Sequence, residues 1–212
     1  MALLTTTHLH FGFTPTQPIL EDINLSLDTH QAIILNGPNG AGKSTLLNLI
    51  AGALRPTGGE ITLAGHPPHS IEGRRTRWHM STEPALFRLL TVREQLEFYC
   101  AAYGTDPAAA LDLLQKLVLQ DITDQLCAQI SSGQAQKVWF VATIAAHQAP
   151  LLLLDEPFST IDIESVPLMI DILETERLAG RSIILITHTH QHLLPNTWLE
   201  KDIRSLNTNH TA

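Results

Sequence analysis

The chain has 212 residues, which suits one domain, or one domain with a modest insertion, and is long enough to bury a real core. Hydrophobic residues make up 44% and charged residues 16%, a globular composition that excludes a disordered chain. Thirteen Lys and Arg against 21 Asp and Glu, a net charge of -8, argue against a broad nucleic-acid surface but leave room for a local basic patch that holds a polyphosphate.

The segment Met1 to Thr5 has no positive n-region and no long apolar run, so no signal peptide is expected. Residues 1 to 30 alternate loosely, with Pro15 and Pro18 marking a turn. Ile23, Leu25 and Leu27 then recur with period two, as on a half-buried strand. Ala32 to Leu35 is a short continuous apolar run, the mark of a strand covered on both faces.

The next segment, Gly37-Pro38-Asn39-Gly40-Ala41-Gly42-Lys43-Ser44-Thr45, fits G-x-x-x-x-G-K-[ST] in full. It leaves a predicted strand and opens a predicted helix over Ser44 to Ala53, the context this pattern requires. The glycines let the backbone wrap phosphates with its N–H groups pointing inward, and the helix start adds positive potential. Lys43 is expected at the β and γ phosphates and Ser44 on Mg2+. Pro56 to Gly59 reads as a turn and Glu60 to Leu63 as a strand.

Residues from about 84 to 134 change character and read as a small helical insertion. Thr91 to Tyr103 and Pro107 to Leu119 are predicted helices, the second with Leu111, Leu114, Leu117 and Val118 at helical spacing. Cys100 and Cys127 lie far apart without C-x-x-C spacing, so they read as small buried hydrophobes, not a disulfide or zinc site. This suits a reducing compartment.

A helix over Gly133 to Gln148 is followed by the apolar run Leu151 to Leu154, which ends in Asp155-Glu156-Pro157. In a parallel sheet, ligands sit beyond the carboxyl ends of the strands, the edge where the phosphate loop also ends. Asp155 is therefore expected in the Mg2+ shell, and Glu156 as general base on the attacking water. A helix over Ser165 to Ala179 stops at Gly180, and Ile183 to Ile186 is the last clear buried strand. Apolar strands alternating with helices predict an α/β fold with a mainly parallel sheet. No apolar run approaches the roughly 20 residues that span a bilayer, so any membrane role is expected to come through a partner.

With these motifs in place, the chain resembles the nucleotide-binding domains of ABC ATPases over nearly its whole length. Ile130-Ser131-Ser132-Gly133-Gln134 is similar to the family's L-S-G-G-Q signature. The resemblance implies that Ser131, Gly133 and Gln134 meet the γ-phosphate bound to an opposite subunit. Ser159-Thr160-Ile161-Asp162 resembles the D-loop, with Asp162 bridging the dimer, and His188 resembles the switch histidine that holds the γ-phosphate and orients Glu156. Phe13, or failing it Phe11, falls where the family stacks an aromatic on adenine. The implied fold is a P-loop NTPase of ABC type with an N-terminal antiparallel β part and a short helical subdomain. It forms a single domain over 1–212, core 1–80 and 135–212.

Three departures stand out. Ser132 replaces the usual signature glycine. Thr82 aligns with the Q-loop glutamine that normally touches Mg2+, with His79 and Glu83 as other stand-ins, and this puts coupling in question more than ATP binding. The insertion is short, and no regulatory domain is expected after the His188 strand.

These features, with Phe158 after the D-E-P, resemble the haem-exporter type of cytochrome c maturation. Other drug or lipid exporters, and a weakly hydrolysing regulatory module, remain open. Implied partners are transmembrane permease subunits and a second copy or related ATPase, at the cytoplasmic face of the inner membrane, with no nucleic acid.

Among weaker signals, His8, His10, His190 and His192 read as solvated surface residues with no carboxylate nearby. Arg74, Arg75 and Arg77 read as a solvated basic face or a contact for a membrane partner. Trp78, Leu86, Phe87 and Leu89 line a docking groove or belong to the core.

Overall fold

The computed structural model describes residues 2–14, 16–145 and 148–207. Pro15, half of the expected first turn, and residues 146 and 147 of the expected helix from Gly133 lie outside the described residues, as does Met1.

β1 (Ala2–Thr14) and β2 (Gln17–Asp28) form an antiparallel ribbon with pairs such as Thr5↔Ser26. β4 (Gly58–Leu63) joins the other side of β1, giving the order β2-β1-β4. Ile23, Leu25 and Leu27 are buried, as their period predicts. Gly58 and Gly59, expected in a turn, belong to β4. Gly59 takes the left-handed φ of 74° where the β1–β4 register slips between Thr7 and His10.

The second sheet is wholly parallel: β3 (Ala32–Asn36), β5 (Arg77–Met80), β6 (Leu151–Asp155), β7 (Ser182–Ile186) and β8 (Leu199–Asp202), in the order β5-β6-β7-β3-β8. The central strands are apolar except at their end residues Asn36, Asp155 and Ser182, because both faces are covered. Ile33, Leu35, Leu151, Leu153, Ile184 and Ile186 face one core, shared with the antiparallel sheet and α1 (Lys43–Ile50). Their neighbours Ala32, Ile34, Leu152, Leu154, Ile183 and Leu185 face the other, shared with α3 (Val92–Tyr103), α4 (Pro107–Lys116), α5 (Ser132–Ala145) and α6 (Ser165–Leu178). Each fully buried Leu or Ile contributes about 1.5–3 kcal/mol of transfer free energy, so these short strands are held from above and below.

The expected helical segment is built from strong local signals. Thr91 and Glu94 close a capping box on α3, Gly104 stops it at φ 70°, and Asp106 with Pro107 starts α4. Leu114 and Leu117 are buried as expected, but Val118 is exposed. It sits past the end of α4 at a left-handed φ of 57°, so helical spacing no longer applies to it.

Apart from short 3-10 turns, three elements are not expected from the residues alone. α2 (Ile71–Thr76) is a short helix capped by Ser70. β5 carries Arg77, Trp78 and His79, half-buried and without alternation. β8 is a charged edge strand held to β3 by backbone pairing.

Candidate functional site

The phosphate loop joins β3 to α1. Gly42 precedes the helix in a left-handed conformation, φ 92°, which favours glycine, and a Cβ there would also lie 2.7 Å from the Leu20 Cδ2 and push that side chain aside. Gly37 is crowded in the same way by the Ile203 Cγ2 at 2.8 Å, which places the turn after β8 directly beneath the loop. No side chain caps α1, so its first N–H groups face the cleft. Lys43 is buried, and its Nζ donates to the carbonyls of Gly37 at 2.7 Å and Pro38 at 3.0 Å, which holds the ammonium over the loop.

Beside the loop, β6 delivers Asp155, buried at its last position, and Glu156 immediately after it. Glu156 takes φ 52°, a conformation that costs a non-glycine residue of order 1–3 kcal/mol and is held by surrounding contacts. Its N–H donates to Ile186 O at 2.9 Å, its carbonyl accepts from Gln136 Nε2 at 3.3 Å, and its Oε2 accepts from the His188 N–H at 3.1 Å. The His188 Nε2 stands 3.7 Å from Glu156 Oε1. That Oε1 is buried and accepts no hydrogen bond among the described residues.

Asn39, Gly40, Ser44, Thr82, Asp155 and His188 line, with Lys43 and Glu156, a cleft of about 350 Å³. The Ser44 and Thr82 hydroxyls and the Asp155 carboxylate give it hard oxygen donors, and the orphaned Glu156 Oε1 gives it an unused acceptor. This set fits Mg2+. Of the three candidates for the glutamine position, Thr82 lines the cleft, whereas His79 and Glu83 do not. His79 sits on β5 with its pKa lowered by burial, the Asp155 charge opposing that shift, and its Nε2 has no partner among the described residues.

The segment at the start of α5 closes a capping box of its own. The Ser131 N–H donates to Gln134 Oε1 at 2.8 Å and the Gln134 N–H to Ser131 Oγ at 3.2 Å. Gly133 faces Thr160, whose carbonyl oxygen would lie 2.7 Å from a Cβ there. One turn on, Lys137 donates to Asp162 Oδ2 at 2.8 Å and to Ser165 Oγ at 3.1 Å. The Lys137 hydrogen bond, then that of Ser165, holds the Asp162 carboxyl at about 2. Asp162, expected to bridge two copies, is thus bonded inside its own chain.

Gly133, Gln136 and Lys137 form one face of α5, with spacing i, i+3, i+4; Gln136 and Lys137 bond residues 156 to 165 at three points, and Gly133 leaves room for the Thr160 carbonyl. The sequence reading passed over Gln136 and Lys137. Both are buried polar residues in the first half of a helix whose buried remainder is apolar apart from Thr143.

Phe13 is 70% exposed at the end of β1, packed edge-on against buried Phe11 with ring centres 5.1 Å apart. It flanks a hollow of about 470 Å³ together with His10, Pro18, Leu20 and Thr57. Leu20 also touches the Gly42 position and Ile19 lines the cleft, so the hollow adjoins the phosphate loop.

His8 corrects an expectation: its Nδ1 lies 2.6 Å from Asp22 Oδ1, a carboxylate brought across the β1–β2 ribbon at a left-handed position, φ 52°. No cluster of three or more metal-binding side chains occurs among the described residues. Both cysteines are free, Cys100 buried and Cys127 half-buried. Arg74 and Arg75 are exposed at the end of α2, while burial lowers the pKa of half-buried Arg77. Trp78 and Leu86 pack on the core, whereas Phe87 and Leu89 are exposed. Among the described residues no helix is long and apolar enough to cross a membrane.

Comparison with known proteins adds to this geometry. A family model described as ABC transporter matches residues 20–159. The cytochrome c biogenesis ATP-binding export protein CcmA of Cereibacter sphaeroides is 34% identical over 170 residues, 80% of this chain and 75% of that protein. The taurine import ATP-binding protein TauB of Roseobacter denitrificans is 34% identical over 180 residues, 82% of this chain and 66% of its own length. The SkfA peptide export ATP-binding protein SkfE of Bacillus subtilis is 30% identical over 179 residues, 82% and 74%. A solved structure described as the ATP binding subunit of an ABC transporter superposes with a TM-score of 0.80 at 31% identity, covering 88% of this chain and 80% of that one.

Proposed function

The chain belongs to the ABC transporter family, and we propose that it is the ATP-hydrolysing subunit of a haem-exporter type complex in cytochrome c biogenesis. ATP binding and hydrolysis coupled to transport come with the family. The observation that carries the site is the single cleft joining the phosphate loop to Asp155, Glu156 and His188.

Lys43 and the open N–H groups of α1 hold the phosphates. Ser44 and Asp155 would hold Mg2+, with Thr82 at the place of the usual glutamine. Bound there, Mg2+ supplies positive charge against the phosphate oxygens. Glu156 orients the attacking water and takes its proton, and its contact with His188 keeps the carboxylate aimed into the cleft. Phe13 offers an exposed aromatic face for the adenine ring.

The protein acts as one domain over 1–212 with its helical insertion at about 84–134. It pairs with a second copy or a related ATPase, which presents its own Ser131, Gly133 and Gln134 across the nucleotide, while Asp162, held by Lys137, stands at the junction between the two copies. Transmembrane permease subunits hold the pair at the cytoplasmic face of the inner membrane, and exposed Phe87 and Leu89 suit such a contact. The haem-exporter subtype is supported by the similarity to CcmA. The equal identity of TauB supports a second reading, in which the same engine serves another substrate.

Two measurements test the reading. Glu156→Gln should bind ATP as the wild type does and release no phosphate above background. Turnover retained in that variant would overturn the catalytic assignment. Removing the protein from its host should stop cytochrome c assembly, and normal cytochrome c levels would favour the second reading.

A further inference from the structure

Between the end of β3 and the loop after β7 lies a polar connection that the nucleotide motifs leave unexplained. Gln191 opens a short 3-10 turn, placed there by His190 at a left-handed φ of 57°. Its Nε2 lies 2.6 Å from the carbonyl oxygen of Thr187 and 3.1 Å from Asn36 Oδ1. A backbone carbonyl only accepts, so the amide orientation is settled: the nitrogen faces Thr187, and both of its hydrogens are used. Asn36 in turn donates through Nδ2 to Glu200 Oε2 on β8, at 3.3 Å. Asn36 is the last residue of β3, immediately before Gly37 of the phosphate loop.

The carbonyl of Thr187 and the N–H of His188 belong to one planar peptide unit. Gln191 holds the carbonyl end, and Glu156 Oε2 holds the N–H end at 3.1 Å. A rotation that broke one of these bonds would misdirect the other. Thr187 adds a local brace, its Oγ1 donating to Thr189 O at 3.0 Å.

We infer that Gln191 is a positioning residue: it clamps the Thr187–His188 peptide plane, anchored through Asn36 on the strand that feeds the phosphate loop, so that His188 and Glu156 keep their mutual geometry. The clamp rests on the roles given to His188 and Glu156 above. Its consequence is that the phosphate loop and the His188 loop share one polar joint, besides any nucleotide between them. Because Gln191 is exposed, replacing it removes the joint without opening the core.

The test uses the full chain with Gln191→Ala, Gln191→Glu and Asn36→Ala. Amide hydrogen exchange at His188, steady-state ATP hydrolysis and binding of a fluorescent ATP analogue are read in parallel. In Gln191→Ala the His188 amide should exchange faster and kcat should fall about tenfold, with nucleotide affinity within about twofold. Gln191→Glu keeps the length but turns a carboxylate oxygen toward Thr187 O, so it should be at least as damaging. A space-filling role would tolerate it. Asn36→Ala should be milder and should add nothing on top of Gln191→Ala.

Unchanged His188 exchange and unchanged kcat in Gln191→Glu would overturn the clamp. If Glu156→Gln also turns over normally, the catalytic reading has failed instead, and the exchange data alone still decide whether the clamp exists.

Discussion

Replacing Lys137 with methionine removes the charge from the α5 grip while keeping the length of the side chain. Lys137 is 10% exposed and Asp162 is 47% exposed, with 2.8 Å between Nζ and Oδ2. The Asp162 carboxyl is held at about 2 against an ordinary 3.8. At about 1.36 kcal/mol per pH unit, that gap corresponds to ~2.4 kcal/mol as an upper bound. Solvent around the half-open carboxylate screens much of this, and Ser165 keeps donating to Asp162 in the variant, so the expected loss is about 1 kcal/mol at pH 7.

A depressed carboxyl stabilises the fold above its ordinary value and loses that contribution as pH falls from about 4 through about 2. The difference between wild type and Lys137→Met in urea unfolding should therefore be the same at pH 7 and pH 5, and shrink below pH 4. NMR titration should find the Asp162 carboxyl near 2 in the wild type and closer to 3.8 in the variant. Superimposable unfolding curves at pH 7, or a wild-type Asp162 that titrates at its ordinary value, would refute the reasoning.

Gly133→Ala should slow ATP turnover and lower stability by about 1–3 kcal/mol, because the added methyl meets the Thr160 carbonyl oxygen and either α5 or the loop must shift; turnover and thermal unfolding report it. Thr91→Ala breaks the capping box on α3 and should cost about 1 kcal/mol in chemical denaturation without changing nucleotide affinity. Burial disfavours protonated His79, so the folded state binds fewer protons than the unfolded chain and stability falls as pH drops below the ordinary histidine range. His79→Gln should flatten that fall between pH 7 and pH 5, as followed by urea unfolding.

What could be read from the residues follows physical lines. The buried strands and the phosphate loop announce themselves, because a strand covered on both faces must be apolar and a phosphate cradle needs its glycines and lysine at fixed spacing. β8 left no trace. Its Leu199-Glu200-Lys201-Asp202 is an edge strand held by main-chain pairing with β3, and a ladder of backbone bonds has no side-chain signature. β5 was masked by Arg77 and His79, polar residues at half-buried positions. Gly58 and Gly59 carry turn chemistry that the sheet uses inside a strand, where β1 slips register.

In the cleft, the expected residues converge because Asp155 ends β6, and Glu156 and His188 follow β6 and β7, at the same sheet edge. Residues that support them across space, such as Gln136, Lys137 and Gln191, belong to no motif, and only the folded arrangement brings them to their partners. The same holds for the His8–Asp22 pair, made by the pairing of two strands.

The three-point hold of α5 on residues 156 to 165 has a mechanical consequence. α3 and α4 pack directly on α5. The helix they pack on also donates from Gln136 to the main-chain carbonyl of Glu156, so the helical side and the cleft share one element. Any displacement of α5 would therefore strain a bond to Glu156, whose carboxylate belongs to the cleft.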